Sequence, residues 1–587
     1  MKKNLSIVIL LISLAISQSV FSQTYSFEKG KVPEGWKIDK GVLHISSEKY
    51  KSGSRSLQIK WKQNAVLTIP SPTGISEACR NRNGGMNAWI YNESPTKENL
   101  LFSFRDETGK EVCQLPFLLD FKGWRCIWAK FQGDMNMSSK SNIQSVEIQF
   151  PQHTKKGVTY IDLLEFTSKV SWQNMSDAQY KVNRTDYSLI PDFIGYRNAT
   201  PKVEKVITVE DNQITTITNR LTTWYLGSGQ HSSERWIKMR TENEKTFIRN
   251  GVKAAQKIKI QYTEDHTPQG EPLFPMGAPT IIDGQEAKKF RSINENILLP
   301  LALDYRKNQN DQSLKKALYI YDWFNDQGWA DGSSMGTLCF EKLRSSGYFH
   351  SFFLLKEQLS PEQLKRELQT MNWFTMFGAC YQLPSHAGEV ADNLRALAIP
   401  KLIYALSQND KQEREVALTA FKHYMDNALG IAPGFFGTFK ADFSGYHHRG
   451  SYHSAYYPHA LYAGALIAYL LHDTPYALSE TTLHNLKQGL LTFRFFCADL
   501  EVPAGTVGRF PKGQQILETL LPAFAYTALS FKEPDKELTA AFKRILESTE
   551  NQQAITEYIS NVNSNLAYTS TVGEIELVTQ LASSSIA

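Results

Sequence analysis

Apolar and polar residues alternate with a short period over the first third of the 587-residue chain. Segments such as Ser56-Leu-Gln-Ile-Lys-Trp and Ser145-Val-Glu-Ile-Gln-Phe place an apolar residue at every second position, which is the pattern of half-buried strands. Gly and Pro turns separate these segments. Many short strands with turn signals predict a β-sandwich or jelly roll, which we place at residues 23–180.

From about Val203 the spacing of apolar residues changes to that of amphipathic helices. The spacing, with cap signals such as Ser360-Pro361 and Ser479-Glu480, predicts helices at residues 311–324, 361–377, 391–407, 412–429, 458–471, 479–496, 520–530 and 536–548. Pro458 and Pro522 fall in first turns, where a helix tolerates proline. Many paired helices predict a bundle or an α/α toroid, which we place at residues 181–560.

The last stretch, residues 561–587, is predicted to turn back to β-structure. Tyr568-Thr-Ser-Thr-Val and Ile575-Glu-Leu-Val are typical of strands, and we expect them to begin a further β-domain that the sequence does not contain. The predicted fold class is therefore multidomain α+β. It comprises an N-terminal β-sandwich (jelly roll) and an α/α toroid, with a C-terminal β-sandwich expected to be missing.

Residues 1–22 have the pattern of a signal peptide. Lys2 and Lys3 precede an apolar run from Ile7 to Ile16, and a cleavage site falls before Gln23. The run is too short to span a membrane comfortably, so we expect a secreted or periplasmic protein without a membrane span after leader removal. The net charge of +5 falls by two when Lys2 and Lys3 leave. This mild charge, with no Lys/Arg stripe, argues against a nucleic-acid partner.

The cysteines give no sign of a metal site or a cofactor. The six residues lack CxxC or Cys/His metal spacing, and no metal or cofactor is expected. Cys113 and Cys126 could pair across two strands, with buried free thiols as the alternative. The chain also lacks the phosphate-binding motif G-x-x-x-x-G-K-[ST].

Histidine and tyrosine are concentrated in the stretch from Asp442 to Tyr476, just before and within a predicted helix. Both side chains can take and give protons near neutral pH once a tyrosine is tuned. Each one alone is as easily a packing residue with a satisfied polar tip. Together they predict a proton-transfer site, with these residues in or next to one polar loop: His447, His448, Arg449, Tyr452, His453, Tyr456 and Tyr457.

Several motifs, in order and spacing, resemble the broad-specificity chondroitin/dermatan sulfate lyases (chondroitinase ABC type), relatives of the chondroitin AC and hyaluronate lyases. The motifs are Pro33-Glu-Gly-Trp, Lys51-Ser-Gly-Ser-Arg-Ser-Leu, Gln327-Gly-Trp-Ala-Asp-Gly-Ser-Ser, His448-Arg-Gly-Ser-Tyr, Leu470-Leu-His-Asp-Thr-Pro-Tyr and Glu501-Val-Pro-Ala-Gly-Thr-Val-Gly-Arg-Phe-Pro. The resemblance covers nearly the whole chain. It implies β-elimination at a uronic acid of a sulfated glycosaminoglycan, with a C4–C5 double bond in the product. We expect a monomer.

The resemblance also implies roles for individual residues. His448 matches the family's catalytic His, the base for iduronate, and Arg509 matches the catalytic Arg, whose charge favours a tyrosine phenolate. Asn393 resembles the Asn that hydrogen-bonds the uronate carboxylate, with helix capping as the alternative. We also expect substrate contacts from Trp329, Tyr457 and His447, although core packing is the commoner fate of tryptophan.

The catalytic Tyr, the general acid and the base for glucuronate, has three possible positions. Matching from the His side selects Ala455, matching through the following helix selects Tyr456, and the longer spacing of the AC and hyaluronate lyases selects Tyr457. We favour Tyr456 because it is anchored on the helix, and loops accept single-residue insertions readily.

Two departures from the family pattern keep other functions open. The family's catalytic Glu falls past Ala587, and Cys339-Phe340-Glu341-Lys342 stands where broad-specificity relatives have a His-rich segment. One alternative is therefore an inactive relative that only binds glycosaminoglycan. Another is a glycoside hydrolase, which would need two carboxylates around the bond. The available carboxylates are Glu389, Asp392 and Asp442.

Overall fold

The computed structural model describes residues 24–170, 177–181, 193–230, 233–264, 266–273, 285–333, 344–451, 453, 456–497, 501–507, 514–515, 517, 520–548, 555–556, 558–559 and 571–585. The predicted leader lies outside these ranges. The chain forms two compact units. The first contains Met1–Pro191, Thr263–Ala287 and Trp323–Cys339, and the second contains Asp192–Tyr262, Lys288–Asp322 and Phe340–Ala587.

Two five-stranded antiparallel sheets form the first unit, which confirms the predicted sandwich. The strands are β1 (Lys37–Ile38), β2 (Gly41–Ser46), β3 (Ser56–Lys62), β4 (Val66–Pro70), β5 (Gly85–Asn92), β6 (Asn99–Arg105), β7 (Glu111–Leu118), β8 (Gly123–Lys130), β9 (Ser145–Gln149) and β10 (Lys156–Thr167). One sheet has the order β1-β4-β9-β6-β7 and the other β2-β3-β10-β5-β8. A short helix, α1 (Ile75–Arg80), connects β4 to β5.

The core of this sandwich comes from the alternating positions seen in the sequence. Leu57 and Ile59 of β3 lie in one buried cluster with Phe102 and Phe104 of β6, so residues of both sheets meet there. Burial of each large apolar side chain contributes about 1.5–3 kcal/mol. Cys113 and Cys126 are both buried free thiols, so the disulfide alternative is wrong.

The segment after residue 322 belongs to the first unit, although the sequence assigns it to the toroid. The buried Lys51 ammonium donates to the carbonyl oxygen and to Oε1 of Gln327, at 2.8 and 2.9 Å. Tyr91 donates to Oδ1 of Asp326 at 2.8 Å. Burial removes water from the Lys51 ammonium and lowers its pKa well below the usual value. The two hydrogen bonds to Gln327 offset part of the cost of this burial.

Helices make up most of the remaining chain, and each predicted helix is confirmed to within about two residues. They are α2 (Phe193–Arg197), α3 (Asp211–Leu226), α4 (Arg235–Ala255), α5 (Gln285–Ile293), α6 (Leu299–Asn308), α7 (Asp311–Asp326), α8 (Ser346–Leu355), α9 (Pro361–Thr375), α10 (Ala391–Leu406), α11 (Lys411–Ala428), α12 (Tyr457–Leu471), α13 (Glu480–Phe496), α14 (Leu521–Ala528), α15 (Lys536–Glu547) and α16 (Val572–Ser583). Within the described ranges, none has the length and apolarity needed to cross a membrane.

The helices of the second unit form two layers, the arrangement of the predicted α/α toroid. Helices α4, α6, α8, α10, α12, α14 and α16 contact one another in a closed circuit, and α9, α11, α13 and α15 pack outside it. Within the inner layer every residue of α8 is buried, whereas α4 is amphipathic and buries one face. The outer helix α15 is amphipathic and buries only one face, with Leu538, Phe542 and Ile545.

The predicted strand at Ile575-Glu-Leu-Val is wrong, because residues 572–583 form α16, whereas most of the other predicted strand, Tyr568-Thr-Ser-Thr-Val, lies outside the described residues. The Thr571 side chain accepts a hydrogen bond from the Glu574 N–H and caps the helix. Ile575, Val578 and Leu581 recur at helical spacing and are buried. Tertiary packing against α3, α4 and α14 thus overrides the strand preference of the β-branched residues. Residues 561–570 lie outside the described part.

Candidate active site

A two-residue hairpin carries the first histidines of the cluster. Strands β11 (Tyr446–His447) and β12 (Gly450–Ser451) pair so that His447 faces Gly450. The turn residues His448 and Arg449 have φ angles of 49° and 64°, in the left-handed region. Such hairpin turns normally use Asn-Gly, and each bulkier residue held there costs on the order of 1 kcal/mol or more. The fold therefore holds His448 in place against a local conformational cost.

Two hydrogen bonds through Thr438 connect this hairpin to the segment just before α10. The Tyr446 N–H donates to the Thr438 carbonyl at 2.9 Å. The Thr438 hydroxyl donates to the Glu389 carbonyl at 2.6 Å, two residues before α10 begins. The hairpin and the first turn of α10 thus form one connected frame.

The structure brings together two of the three predicted catalytic residues, His448 and Tyr456, with His447 beside them. The His447 and Tyr456 rings stack, with centroids 3.9 Å apart and planes at 20°. The His448 ring lies 4.0 Å from His447 and 5.5 Å from Tyr456, nearly perpendicular to the latter. Tyr456 precedes α12 with φ −122° and ψ −53°, outside helical geometry. This non-helical backbone at the N-cap position determines the direction in which the Tyr456 side chain leaves the helix.

Exposure separates the roles that these rings can have. His448 lies exposed to solvent on the hairpin turn. His447 and Tyr456 retain 6% and 8% of their accessible surface. The sequence predicts substrate contact for His447, whereas its burial and its stacking favour a role in orienting Tyr456.

Charged side chains from the first turn of α10 surround the buried rings. The Asp392 carboxylate forms an ion pair with Arg395, with Oδ1 and Nε 2.8 Å apart, and its Oδ2 lies 3.4 Å from the His447 Nε2. The Arg395 guanidinium carbon lies 5.4 Å from the centroid of the Tyr456 ring. One carboxylate therefore bridges the stacked histidine and a cation next to the tyrosine.

Asn393 lies in the same turn, and its amide is held in a fixed direction. Its Nδ2 donates to Oε1 of Glu389 at 3.1 Å, and the Val390 N–H donates to the same oxygen at 2.7 Å. The Tyr424 hydroxyl donates to the other Glu389 oxygen at 3.1 Å. The residue before the helix is Val390, so the capping alternative for Asn393 does not hold.

Tyr457 is a core residue, which corrects its predicted contact with substrate. Its side chain is fully buried, and its hydroxyl donates to the Phe443 carbonyl at 2.7 Å. Burial raises its pKa, so it is a poor proton acceptor. The ring packs so closely against Gly445 that an added Cβ there would lie 1.9 Å from it.

Trp329 belongs to the first unit and is fully buried there, so the core-packing alternative replaces its predicted role in stacking on sugar. Trp323 is also buried and donates to the Glu271 carbonyl at 2.9 Å. Arg509 lies outside the described residues, and so does the Cys339 segment that departs from the family pattern.

Sequence reasoning missed two features near the cluster. Arg395 and His459 are ordinary helix residues in the sequence, and no local motif marks their proximity to Tyr456. Burial and the neighbouring Arg395 lower the pKa of His459 to about 3, so this histidine stays neutral. The second feature is an exposed aromatic pair, Phe435 and Phe436, which Gly434 and Gly437 flank in the sequence.

These two phenylalanines lie on a loop at residues 430–438, the aromatic loop. Their side chains are 69% and 42% exposed. The Lys440 ammonium donates to the Gly434 carbonyl at 2.9 Å and to the Phe436 carbonyl. Because Thr438 at its end bonds both Glu389 and the hairpin, the loop is connected to the candidate site.

Comparison with protein families identifies both parts of the chain. The family model described as "Lyase, catalytic" matches residues 200–552, more than half of the chain. The chain belongs to this lyase family. A second model, "Lyase, N terminal", matches residues 21–182 and covers the sandwich. The fold and the family thus agree on a sandwich followed by the helical catalytic unit.

Two relatives are similar to this chain over about nine tenths of its length. A chondroitin sulfate ABC exolyase of Bacteroides thetaiotaomicron is 26% identical over 579 residues, covering 92% of this chain and 54% of the relative. A chondroitin sulfate ABC endolyase of Proteus vulgaris is 24% identical, covering 90% of this chain and 55% of the relative. The chain thus spans a little over half the length of these relatives.

Solved structures of polysaccharide lyases also share similarity with the chain. The chondroitin AC lyase of Streptomyces coelicolor A3 has 11% sequence identity and a TM-score of 0.48, with 64% of this chain and 49% of that chain covered. A xanthan lyase of Paenibacillus has 13% identity and a TM-score of 0.47, with 64% and 34% covered.

Proposed function

We propose that this chain is a glycosaminoglycan lyase that cleaves chondroitin sulfate and dermatan sulfate by β-elimination at the uronic acid. The observation that carries the proposal is the grouping of His448, Tyr456 and the Asn393 turn in a chain of the lyase family. Relatives that bear the name chondroitin sulfate ABC lyase support the substrate class.

In the proposed reaction, the Asn393 amide faces the uronate carboxylate and withdraws charge from it, so that the C5 proton becomes more acidic. A base takes this proton, the electron pair forms the C4–C5 double bond, and the C4–O4 bond breaks. An acid then protonates the leaving O4. Glu389 supports this step by holding the Asn393 side chain in one direction.

Tyr456 and His448 supply the proton transfers. Tyr456 donates to O4 and, for glucuronate, also takes the C5 proton, whereas His448 takes it for iduronate, whose C5 proton points to the other face. The perpendicular arrangement of the two rings, 5.5 Å apart, supports two groups acting on one sugar. The exposure of His448 lets it approach the sugar from solvent.

The hydrolase alternative finds less support. Asp442 accepts bonds from its neighbour Ser444, which lower its pKa and keep it ionised, whereas a hydrolase needs a protonated carboxyl as its acid. Glu389 already accepts from three donors, and Asp392 already lies between Arg395 and His447.

The mass of the products distinguishes these reactions. After digestion of chondroitin sulfate by the purified chain, we expect mass spectrometry to show oligosaccharides that are one water lighter than hydrolysis products. Products of full hydrolytic mass would contradict elimination. Bound but uncleaved polymer would favour the alternative that the chain only binds glycosaminoglycan.

The aromatic loop is proposed to hold the polymer next to the cleavage site, since aromatic faces pack well on the apolar faces of sugar rings. We expect Phe435→Ala, with Phe436→Ala as a second variant, to raise KM about 2- to 10-fold while kcat changes little. Initial rates over a range of polymer concentrations give both constants. The control is Tyr262→Ala, because Tyr262 is as exposed as Phe436 and also packs edge-on against one ring, Tyr319 in place of His386, but is not part of the aromatic loop. Equal KM values for all variants would exclude this role.

We also propose that the protein is exported, as the pattern of residues 1–22 suggests. N-terminal sequencing of the protein isolated from its own cells tests this. A mature chain that begins near Gln23 and is found outside the cytoplasm is expected. An intact leader on a cytoplasmic chain would contradict the proposal.

A further inference from the structure

A groove in the helical unit lies between α4 and the last turn of α6, apart from the candidate active site. Its volume is about 460 Å³, and the residues that line it belong to the segments 241–256 and 304–310. Helix α8 contacts both α6 and α10, so it separates the groove from the helix that carries Asn393. None of the described residues of the candidate active site lines the groove.

A row of three cations from α4 forms one wall of this groove. Lys245, Arg249 and Lys253 are spaced four residues apart and are all exposed. This spacing places them on one side of the helix, with about 6 Å of rise between neighbours. In the sequence other residues separate them, so they form no continuous basic run. The folded helix therefore corrects the expectation that the chain has no Lys/Arg stripe.

The charges of this row are available to a ligand. Lys245 lies 2.7 Å from Glu242, but both side chains are more than 60% exposed, so water screens this pair and it is easily exchanged. Arg249 makes a long contact of 3.4 Å with the Thr246 hydroxyl. Lys253 has no hydrogen-bond acceptor among the described residues. A bound anion thus displaces little that stabilises the fold.

The two acidic residues that line the groove are buried and already have partners. The Lys307 ammonium pairs with the Glu244 carboxylate, whose side chain is 5% exposed. The Asp304 carboxylate accepts hydrogen bonds from three side chains, those of Asn308, Asn310 and Ser313. The negative charges at the base are therefore compensated within the fold, and the exposed wall of the groove is positive.

This positive charge is concentrated on one element. Helix α4 contains six cationic and two acidic side chains, whereas the whole chain has a net charge of +5. The excess on α4 thus accounts for most of the net charge of the chain. A surface of this kind attracts a polyanion and raises its local concentration.

We propose that the groove is a second binding site for a sulfated, uronate-containing polysaccharide, separate from the site of cleavage. This inference rests on the proposed function, which supplies the substrate class. Such a polymer carries a carboxylate in each disaccharide and sulfates besides, so its anions follow one another at short intervals, as the cations of the row do. A chain held in the groove stays close to the enzyme between cleavages, which raises its effective concentration.

The test measures the binding of fluorescein-labelled chondroitin sulfate to the full chain by fluorescence anisotropy, in the Tyr456→Phe background, where no turnover is expected. The groove variant combines Lys245→Gln, Arg249→Gln and Lys253→Gln. We expect it to bind about 10-fold more weakly at physiological salt. The slope of log affinity against log salt concentration should become shallower by about two, because each cation that meets a flexible polyanion releases about 0.7 of a counterion.

A matched control removes the same charge from the same unit outside the groove. It combines Lys365→Gln, Lys532→Gln and Lys536→Gln, three exposed positions on or near outer helices, and should bind as the unmodified chain does. Glutamine is a good helix former, and circular dichroism checks that both variants fold. Exchanging the groove cations, as Lys245→Arg, Arg249→Lys and Lys253→Arg, keeps the charge and should keep the affinity. Equal losses in the groove and control variants would overturn the proposal.

Acetylation of lysines locates the site without any substitution. After limited acetylation and mass spectrometry, we expect Lys245 and Lys253 to be labelled less when chondroitin sulfate is bound, and Lys365 to be labelled equally in both states. Unchanged labelling of Lys245 and Lys253 would contradict the proposal. Tighter groove-dependent binding of single-stranded DNA, or of vesicles containing phosphatidylserine, would assign the groove to another partner and also overturn it.

These measurements separate this inference from the proposed function, because binding and labelling need no turnover. If the chain cleaves no polymer but binds it through the groove, the proposed function fails and the second site stands. If the chain cleaves the polymer and the groove variant binds it as tightly as before, only the second site fails.

Discussion

Tyr456→Phe is expected to lower kcat on chondroitin sulfate by about 100- to 10,000-fold, the range for loss of a general acid–base group. Phenylalanine keeps the ring that stacks on His447 but has no proton to give to the leaving O4. Binding of the polymer should change little. The fall should appear when product absorbance is followed at saturating polymer.

Tyr457→Phe is the matched control, since it removes the hydroxyl of the neighbouring residue. That hydroxyl bonds the Phe443 carbonyl inside the core, so we expect a loss of about 1 kcal/mol in stability with kcat kept. His448→Ala should abolish cleavage at the iduronate of dermatan sulfate, for which His448 is the proposed base. Full activity in both Tyr456→Phe and His448→Ala would place the site elsewhere.

Glu574→Ala is expected to cost about 3–5 kcal/mol in the free energy of unfolding, because three buried hydroxyls lose their acceptor and each unsatisfied buried group costs about 1–3 kcal/mol. The Glu574 side chain is fully buried and accepts hydrogen bonds from three hydroxyls, those of Tyr526 at 2.8 Å, Tyr558 at 2.5 Å and Tyr462. These bonds tie α16 to α12 and α14. Denaturant unfolding measures the loss. The control is Glu537→Ala, whose exposed ion pair with Lys487 should be worth less than about 1 kcal/mol.

The pH dependence of this variant gives an independent check. Burial raises the Glu574 pKa, so the folded chain holds this proton more tightly than the unfolded chain. Its contribution to stability is therefore greatest below the unfolded pKa of about 4.3, and it falls as the pH rises toward the folded value. Glu574→Gln, which does not ionise, should flatten this fall. An unchanged pH profile would contradict the assignment.

Much of the architecture follows from residue spacing, because period two and period 3.6 reflect the face that each element buries. Some elements were harder to predict, because burial on all sides removes the contrast between apolar and polar positions. Helix α8 was not among the predicted helices because all ten of its residues are buried, so no polar face marks the period. The sequence of helix α16 favours a strand because Ile575 and Val578 are β-branched. No local pattern indicates that the Glu574 carboxylate bonds side chains of neighbouring helices.

Part of the candidate site could likewise be predicted from the sequence, and part could not. His448 and Tyr456 lie eight residues apart in one polar stretch, so the sequence could mark them as neighbours. The hairpin between them could not be predicted, since His448-Arg449 is not a turn signal and only the surrounding fold holds it. Arg395 and Asp392 lie more than 50 residues before Tyr456 in the chain, and only the packing of α10 on α12 brings them together.

β-Elimination by the His448–Tyr456 site is tested most directly by incubating the purified chain and its Tyr456→Phe variant with chondroitin sulfate and, separately, with dermatan sulfate. The ultraviolet absorbance of the unsaturated uronate is then recorded over time. We predict a steady rise with the unmodified chain on both polymers and none above background with the variant. No rise with the unmodified chain, or an equal rise with the variant, would contradict the account.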